Sequence, residues 1–510
     1  MLRAPLPLGT LDLDPEAAIP LYRQLYESLR GAILEGRLAA GARLPSSRLL
    51  ANDLGVGRNT VLAAFEQLTA EGYLEAVVGA GTRVAQSLPD DLLQIGKKTA
   101  KAKAATPSPA GTLSARGEQL ASVRRPAVHY ERGQGRAFQH GLPALDLFPM
   151  TLWSRLLARR SRDTASGLLG YETGAGFAPL REAIAAHAGA ARGVVCTPEQ
   201  VIVTTGAQAA LMLAAQMLTD PGDAVWLEDP GYLGARGAML GAGARIVPVP
   251  VDSEGIDIEA GRALDPNPRL IYVTPSHQYP LGVTLSLQRR LALLDFARQT
   301  NALVLEDDYD SEYRFTGRPV ASLQGLDRSG RVLYMGTFAK TLFPALRIGY
   351  LIVPDNLIDA FRTAIRLTGH IPPAAAQAAL ADFILEGHYG AHVRRMRSIY
   401  ATRHASLVNA VRGELDDWLD VAPGDGGMQM PAFLHADVSD KEIAALASDA
   451  GIYVSPLSNY QLGNSHRCGL YLGFAAIPEM RILKSARRFA EVLATENVQK
   501  RHLERKSGTK

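Results

Sequence analysis

Lys340 follows the apolar run VLYMG inside GTFAKTLFPALRIGY (336–350). Upstream, in LEDDYDSEYRF (305–315), Asp307 and Tyr309 close a second apolar run. An amine, a carboxylate and a phenol at strand ends are what pyridoxal phosphate (PLP) chemistry needs. The amine forms a Schiff base, the carboxylate keeps the pyridine nitrogen protonated, and the hydroxyl steadies the phenolate oxygen. TTGAQAAL (204–211) adds a glycine turn into a helix, Gly206-Ala207-Gln208, whose backbone N–H groups can hold a phosphate. Thr337 and Arg347 flank the lysine with a hydroxyl and a guanidinium for the same phosphate. Singly, each feature has a bland reading. Lys340 alone is a surface lysine, DDYD is a solvated acidic turn or part of a cation site, and the glycine turn is any α/β turn. The joint arrangement disfavours those readings.

The elements that position these groups are legible as seven near-continuous apolar runs: 201–205, 224–228, 245–249, 270–274, 302–306, 332–336 and 349–353, with helical segments between most of them. Such runs imply strands buried on both faces, hence a mainly parallel seven-stranded sheet covered by helices. Ligands gather at the carboxyl ends of strands in such sheets. Gly206, Asp229, Asp307 and Thr337 all fall there. No internal repeat is present.

A different pattern occupies residues 19–85. Leu21, Leu25, Leu29 and Ile33 give one helix an apolar stripe. Ser46 is placed to cap a short second helix. A Gly-Val-Gly turn (55–57) leads into a third helix, over about 58–71, whose core face is Val61, Ala64, Phe65 and Leu68. Its first residues, Arg58, Asn59 and Thr60, are polar. Residues 73–85 read as two strands around a glycine turn. This is a winged helix-turn-helix pattern, which offers polar side chains at a helix N-terminus to the major groove of double-stranded DNA. A generic three-helix module with solvated charges is the alternative on pattern alone. Residues 86–117, rich in Ala, Lys, Pro, Ser and Thr, read as a flexible linker, and 496–510 as a basic tail.

The chain has 510 residues, 47% hydrophobic and 21% charged, enough for two or three domains with a large core. A net charge of +3 is too small to argue for nucleic acid, so any DNA signal must be local. Two cysteines, Cys196 and Cys468, make neither a disulfide framework nor a multi-thiolate metal site, and no metal is expected. The N-terminal segment lacks a continuous apolar stretch. The apolar run 206–218 is too short to span a bilayer, so a cytoplasmic protein is the expectation and no membrane partner is implied.

Residues 20–85 resemble the GntR-type winged helix nearly end to end. The resemblance implies phosphate or base contacts from Arg43, Arg48 and Arg58, and a wing at Gly81-Thr82-Arg83. The DNA-binding candidates are therefore Arg43, Ser46, Arg48, Arg58, Asn59, Thr60, Thr82 and Arg83. Residues 118–495 resemble a fold-type I, aspartate-aminotransferase-like domain, with a smaller α+β C-terminal subdomain. Together the two parts resemble the MocR/GabR family of PLP-dependent transcriptional regulators, through EDDYDSEYRF and GTFAKTLFPALRIGY. That resemblance makes Lys340 the Schiff-base lysine. It pairs Asp307 with the pyridine nitrogen and Tyr309 with the phenolic oxygen, and stacks Tyr232 on the ring. Gly206, Ala207, Gln208, Thr337 and Arg347 would hold the phosphate, and Tyr171 would reach a partner subunit's site.

The chain also departs from the aminotransferase pattern. Asn-Pro-x-Gly is replaced by Tyr279-Pro280-Leu281-Gly282, leaving His277 or Gln278 to substitute for the asparagine. Ala339 stands where a serine commonly precedes the lysine, and Tyr471 stands where an arginine binds substrate carboxylate, with Arg467 near in sequence. The reading is a homodimeric regulator rather than an enzyme, which binds operator DNA and senses PLP, an amine or an amino acid. The alternative is an aminotransferase with an accessory DNA-binding domain. A PLP-independent scaffold is disfavoured by the intact Lys340, Asp307 and Tyr309 set.

Overall fold

The computed structural model describes residues 13–77, 81–88, 113–123, 136–163, 168–170, 174–316, 321–421, 424–435, 438–463 and 468–494. The chain divides into two compact units, Met1–Thr112 and Leu113–Lys510.

In the first unit, helix α1 (Leu21–Leu34) buries Leu25, Leu29 and Ile33, the fourfold stripe of the sequence. Helix α2 (Ser47–Leu54) starts where the Ser46 Oγ accepts the Leu49 N–H at 3.3 Å. It stops at Gly55, whose φ of 65° is a conformation that a Cβ would oppose. Helix α3 (Arg58–Ala70) turns Val61, Ala64, Phe65 and Leu68 inward. They join Leu25, Leu29 and Leu50 in one apolar cluster. Strands β1 (Leu74–Val77) and β2 (Gly81–Val84) pair antiparallel, with Leu74 opposite Val84. Three helices and a hairpin around one core make a winged helix.

The second unit is built on eight strands: β3 (Val201–Thr204), β4 (Ala224–Asp229), β5 (Arg245–Asp252), β6 (Gly255–Ile256), β7 (Leu270–Val273), β8 (Leu303–Asp308), β9 (Val332–Thr337) and β10 (Gly349–Ile352). They lie in the order β3-β10-β9-β8-β7-β4-β5-β6. Strands β5, β4, β7, β8 and β9 are mutually parallel. Strand β10 runs antiparallel to both of its neighbours. All seven apolar runs are strands. The eighth strand, β6, is a two-residue return along β5 with no run long enough to announce it. β3, β4, β7, β9 and β10 are buried along their whole length. Helices cover both faces, with one apolar cluster around Leu211, Met239 and Leu305 and others around Trp226 and Leu180.

A second, antiparallel sheet follows: β11 (Leu419–Val421), β12 (Gln429–Leu434), β13 (Ser455–Pro456) and β14 (Gly469–Gly473), in the order β11-β12-β14-β13. The helices His388–Glu414 and Glu479–Leu493 pack with it around Tyr400, Leu407, Phe474 and Phe489. This is the smaller α+β part.

A helix, Ala115–Ser122, begins inside the stretch read as linker. The Ser114 Oγ caps it, accepting the Gly117 N–H at 3.1 Å, and Leu120 lies over Gly237 and Gly241 of helix Leu233–Ala242. With a single large apolar contact, it leaves no period to read. Among the described residues, no helix is long and apolar enough to cross a membrane.

Candidate functional site

The carboxyl ends of β3, β7, β8 and β9 open into one cavity of about 560 Å³, a volume suited to a small-molecule ligand. Gly206, Ala207, Gln208, Tyr232, Asp307, Tyr309, Thr337, Lys340 and Arg347 all line it, so residues far apart in sequence are gathered as expected. Tyr171 and Arg467 lie outside the described residues.

Lys340 sits on the turn after β9 and donates from Nζ to the Gly141 carbonyl oxygen at 2.8 Å. Beside it, burial and the Lys340 charge push the His140 imidazole down to about 4, so His140 is neutral at physiological pH. Asp307, at the end of β8, is 4% exposed. Its Oδ2 accepts the Tyr272 hydroxyl at 2.7 Å, whereas its Oδ1 is buried with no hydrogen-bond partner. Burial pushes its pKa up to about 7, against the lowering effect of the Tyr272 bond. A buried carboxylate oxygen left alone is costly and calls for a donor. A protonated ring nitrogen is such a donor, so the residues present fit PLP.

The phosphate end is equally local. Gly206, with φ 90° and ψ 172°, starts the helix Ala207–Leu218, whose first N–H groups have no partner within the helix, and Gly206, Ala207 and Gln208 line the cavity. The Thr337 Oγ1 accepts the Ala339 N–H at 3.2 Å, which fixes the hydroxyl at the end of β9. Arg347 is held at φ 53° by the turn Pro344–Leu346. A left-handed conformation costs a non-glycine residue about 1–2 kcal/mol, and such strain gathers at functional sites. Strand β10 passes so near that a Cβ on Gly349 would lie 2.9 Å from the Gly206 carbonyl carbon.

The departures from the aminotransferase pattern resolve in different ways. Gln278 does not take the asparagine's place. Its amide donates to the carbonyls of Pro230 and Tyr279, each at 2.8 Å, and so holds the loop. His277 does not line the cavity, but its Nδ1 lies 3.0 Å from the Tyr309 hydroxyl and 3.1 Å from Asp310 Oδ2. Tyr279 itself enters the cavity and meets Tyr232 edge-on, with centroids 5.4 Å apart. Tyr471, on β14, is buried, with its hydroxyl directed at Tyr309 and Gln429. Sequence reasoning missed His140, Gly141, Leu142, Tyr272, Thr274, Gln429 and Tyr460, all of which line the cavity. Only Tyr272 and Thr274 carried a signal, as the end of a recognised strand. Residues 140–142 arrive on a segment with no motif, anchored by the Ala137–Ile452 bridge and by Gly473 against Gln139.

In the winged helix, Arg58 and Asn59 are exposed at the start of α3, with Thr60 half-buried beside them. The Arg58 Nε lies 3.5 Å from the Ser47 Oγ, which brings the start of α2, with exposed Ser46 and Arg48, next to it. Arg43 lays its guanidinium against Gly81, and the Leu44 N–H donates to the Thr82 carbonyl at 2.9 Å. Arg43, Thr82 and Arg83 thereby form one group at the wing.

Two family models match the chain: bacterial regulatory proteins of the gntR family over residues 21–84, and aminotransferase class I and II over residues 150–473. The chain is 47% identical to the probable rhizopine catabolism regulatory protein MocR of Rhizobium meliloti, over 92% of each chain. It is 31% identical to the pyridoxine biosynthesis transcriptional regulator PdxR of Corynebacterium glutamicum, over 92% of this chain and 94% of the relative. Among solved structures it is similar to LysN, an alpha-aminoadipate aminotransferase from Thermus thermophilus complexed with N-(5'-phosphopyridoxyl)-L-leucine. The TM-score is 0.66 at 28% identity, covering 71% of this chain and 92% of that one.

Proposed function

This chain belongs to the MocR/GabR family of transcriptional regulators, a GntR winged helix joined to a class I and II aminotransferase domain, and from that premise we propose that it is a PLP-loaded, amine-responsive, DNA-binding regulator rather than a working enzyme. The observation that carries the reading is the unpartnered Asp307 Oδ1 in the same cavity as Lys340. A buried acid with one oxygen lacking a donor, in the same cavity as a lysine amine, suits a cationic ring nitrogen and an aldehyde better than a purely structural role.

PLP, when bound, supplies an electron-withdrawing ring and a carbonyl carbon open to amines. Lys340 presents the amine that meets it, held by the Gly141 carbonyl. Asp307 holds the ring nitrogen's proton, with Tyr272 fixing the carboxylate's other oxygen. Tyr309 would offer a hydroxyl to the ring's phenolic oxygen, and Tyr232 would stack on the ring. The Gly206–Gln208 amides, Thr337 and Arg347 take the phosphate. Tyr471, where aminotransferases carry an arginine, argues against ordinary amino-acid turnover. A ligand alters DNA affinity only if it favours one of two conformations, and release of the Lys340 amine on ligand binding would be a local event able to distinguish them. The regulator acts in the cytoplasm as a homodimer on operator DNA.

The test is a gel-shift titration on DNA upstream of the protein's own gene, with and without PLP. The wild type is expected to be yellow and to change operator affinity when loaded. Lys340→Ala is expected to lose the absorption band and the response together. A response that survives in Lys340→Ala overturns the reading.

A further inference from the structure

We propose that His277, which lies outside the Lys340 cavity, is a positioning residue: held by Asp310, it turns the Tyr309 hydroxyl proton into the cavity, toward the phenolic oxygen of the bound ring. The inference rests on the PLP-loaded regulator reading and adds a residue that sets how firmly the Lys340 nitrogen holds its proton there.

The geometry is a choice of proton direction. The His277 Nδ1 lies 3.0 Å from the Tyr309 hydroxyl, and 3.2 and 3.1 Å from Asp310 Oδ1 and Oδ2. One ring nitrogen thus faces both a carboxylate and a hydroxyl. Asp310 is 1% exposed, and an ionised carboxylate only accepts, so it selects the form of the ring with a proton on Nδ1. That holds whether the ring is neutral or charged. A protonated Nδ1 cannot accept from Tyr309. The Tyr309 oxygen becomes an acceptor, and its own proton is left for the cavity that Tyr309 lines. A bare Nδ1 would do the reverse and draw that proton out of the cavity.

The surroundings fix both the ring and the hydroxyl. A Cβ on Gly427 would collide with the His277 ring, and one on Gly282 would lie 3.2 Å from its Nε2, so the ring is seated between two glycines. The Tyr471 hydroxyl is directed at Tyr309 as well. Gln429 Oε1 accepts the Gly141 N–H at 2.8 Å, which leaves the Gln429 amide N–H groups for Tyr471 and the Tyr471 proton for Tyr309. Two donors then converge on one oxygen. Charge agrees with this arrangement. Burial alone would lower the His277 pKa, but the Asp310 carboxylate outweighs it and holds the ring above its ordinary value, with Arg314 opposing. His404 feels the same ring, and Arg192 and Asp425 line a small cleft with it.

A donor at the bound ring's phenolic oxygen favours the form in which the Lys340 nitrogen has lost its proton, so it lowers the pH at which the visible band changes. The experiment titrates that band in the PLP-loaded full chain. It also reads the ring nitrogens by NMR of the cofactor-free chain labelled at histidine, with the His277 signal assigned by its loss in His277→Asn. The wild type is expected to carry a proton on Nδ1. Tyr309→Phe is expected to raise the midpoint by about one pH unit or more, the effect of losing a hydrogen bond to a charged oxygen, and His277→Leu by about half a unit or more. The double variant is expected to match Tyr309→Phe alone, because His277 acts through that hydroxyl. His277→Asn, whose amide donates from a similar place, is expected to keep most of the wild-type midpoint, a distinction that a merely structural role would not make. A bare Nδ1 in the wild type, an unmoved midpoint in His277→Leu, or additive shifts in the double variant each overturn the proposal. If His277→Leu does not fold, the NMR reading of the wild type decides. A loaded protein with an unmoved midpoint sinks this inference alone, whereas failure to take up PLP sinks it together with the regulator reading.

Discussion

Asp307 shows how one side chain ties stability to cofactor chemistry. Its pKa is pushed up to about 7 by burial, while an unfolded aspartate titrates near 3.9. Between those values the folded, cofactor-free protein holds a proton that the unfolded chain has released. Stability is therefore fully present below the unfolded value and declines as pH rises toward 7, at most about 1.4 kcal/mol per pH unit for one group. Asp307→Asn removes that proton, so its cofactor-free protein is expected to lose less stability between pH 5 and 7. Denaturant midpoints at the two pH values check this, and equal slopes in the two proteins would show that Asp307 does not titrate there. Some decline remains in both, because burial also lifts Glu228 and Glu306 to about 7. The identity of Asp307 was legible because it ends an apolar strand beside a tyrosine. Its partner Tyr272 lies near the end of another recognised strand, but its type gave no sign of a role, because a tyrosine there reads equally as core.

At the scale of elements, the sheet was legible because strands buried on both faces are apolar throughout. The 136–142 segment was not, because it is placed by distant contacts and not by its own periodicity. The same limit hid the short strands β6 and β13, whose two residues carry no period. A close element-to-element approach at the phosphate end of the site is β10 against the Gly206 turn. A Cβ at Gly349 would sit 2.9 Å from the Gly206 carbonyl carbon and 3.0 Å from the Ala207 nitrogen, both backbone atoms with no rotamer to yield. Gly349→Ala is expected to destabilise by about 1–3 kcal/mol, as overpacking does, and to weaken PLP binding because the phosphate turn must move. Gly413→Ala is the control. Nothing lies within 4 Å of its added methyl in the helix His388–Glu414, so it is expected to be neutral or to stabilise by about 0.5–1 kcal/mol. Thermal melts and PLP titrations of the two variants separate them. Similar behaviour of both would show that the β10 approach does not shape the turn.

For the whole molecule, the net charge of +3 gives no reason to expect DNA binding, and the case rests on where the arginines stand. Arg43, Arg48, Arg58 and Arg83 are all exposed in a unit whose core is otherwise closed. Arg58 is the sharpest test. It opens α3, and its contact with Ser47 is long at 3.5 Å, so little of the fold depends on it. Arg58→Ala is therefore expected to leave the melting temperature and PLP binding near wild type. If Arg58 reads a base, operator affinity falls while affinity for unrelated DNA holds, a loss of about 1–3 kcal/mol in discrimination. Arg83→Ala, at the wing, serves as the contrast: a phosphate contact there lowers affinity for all sequences alike and reduces the slope of log affinity against log salt by about one. Gel-shift titrations of both variants, on operator and on scrambled duplex at several salt concentrations, distinguish the roles. Unaltered operator binding by Arg58→Ala would remove α3 from the major groove, and the DNA-reading surface would then have to be sought at the wing and the start of α2.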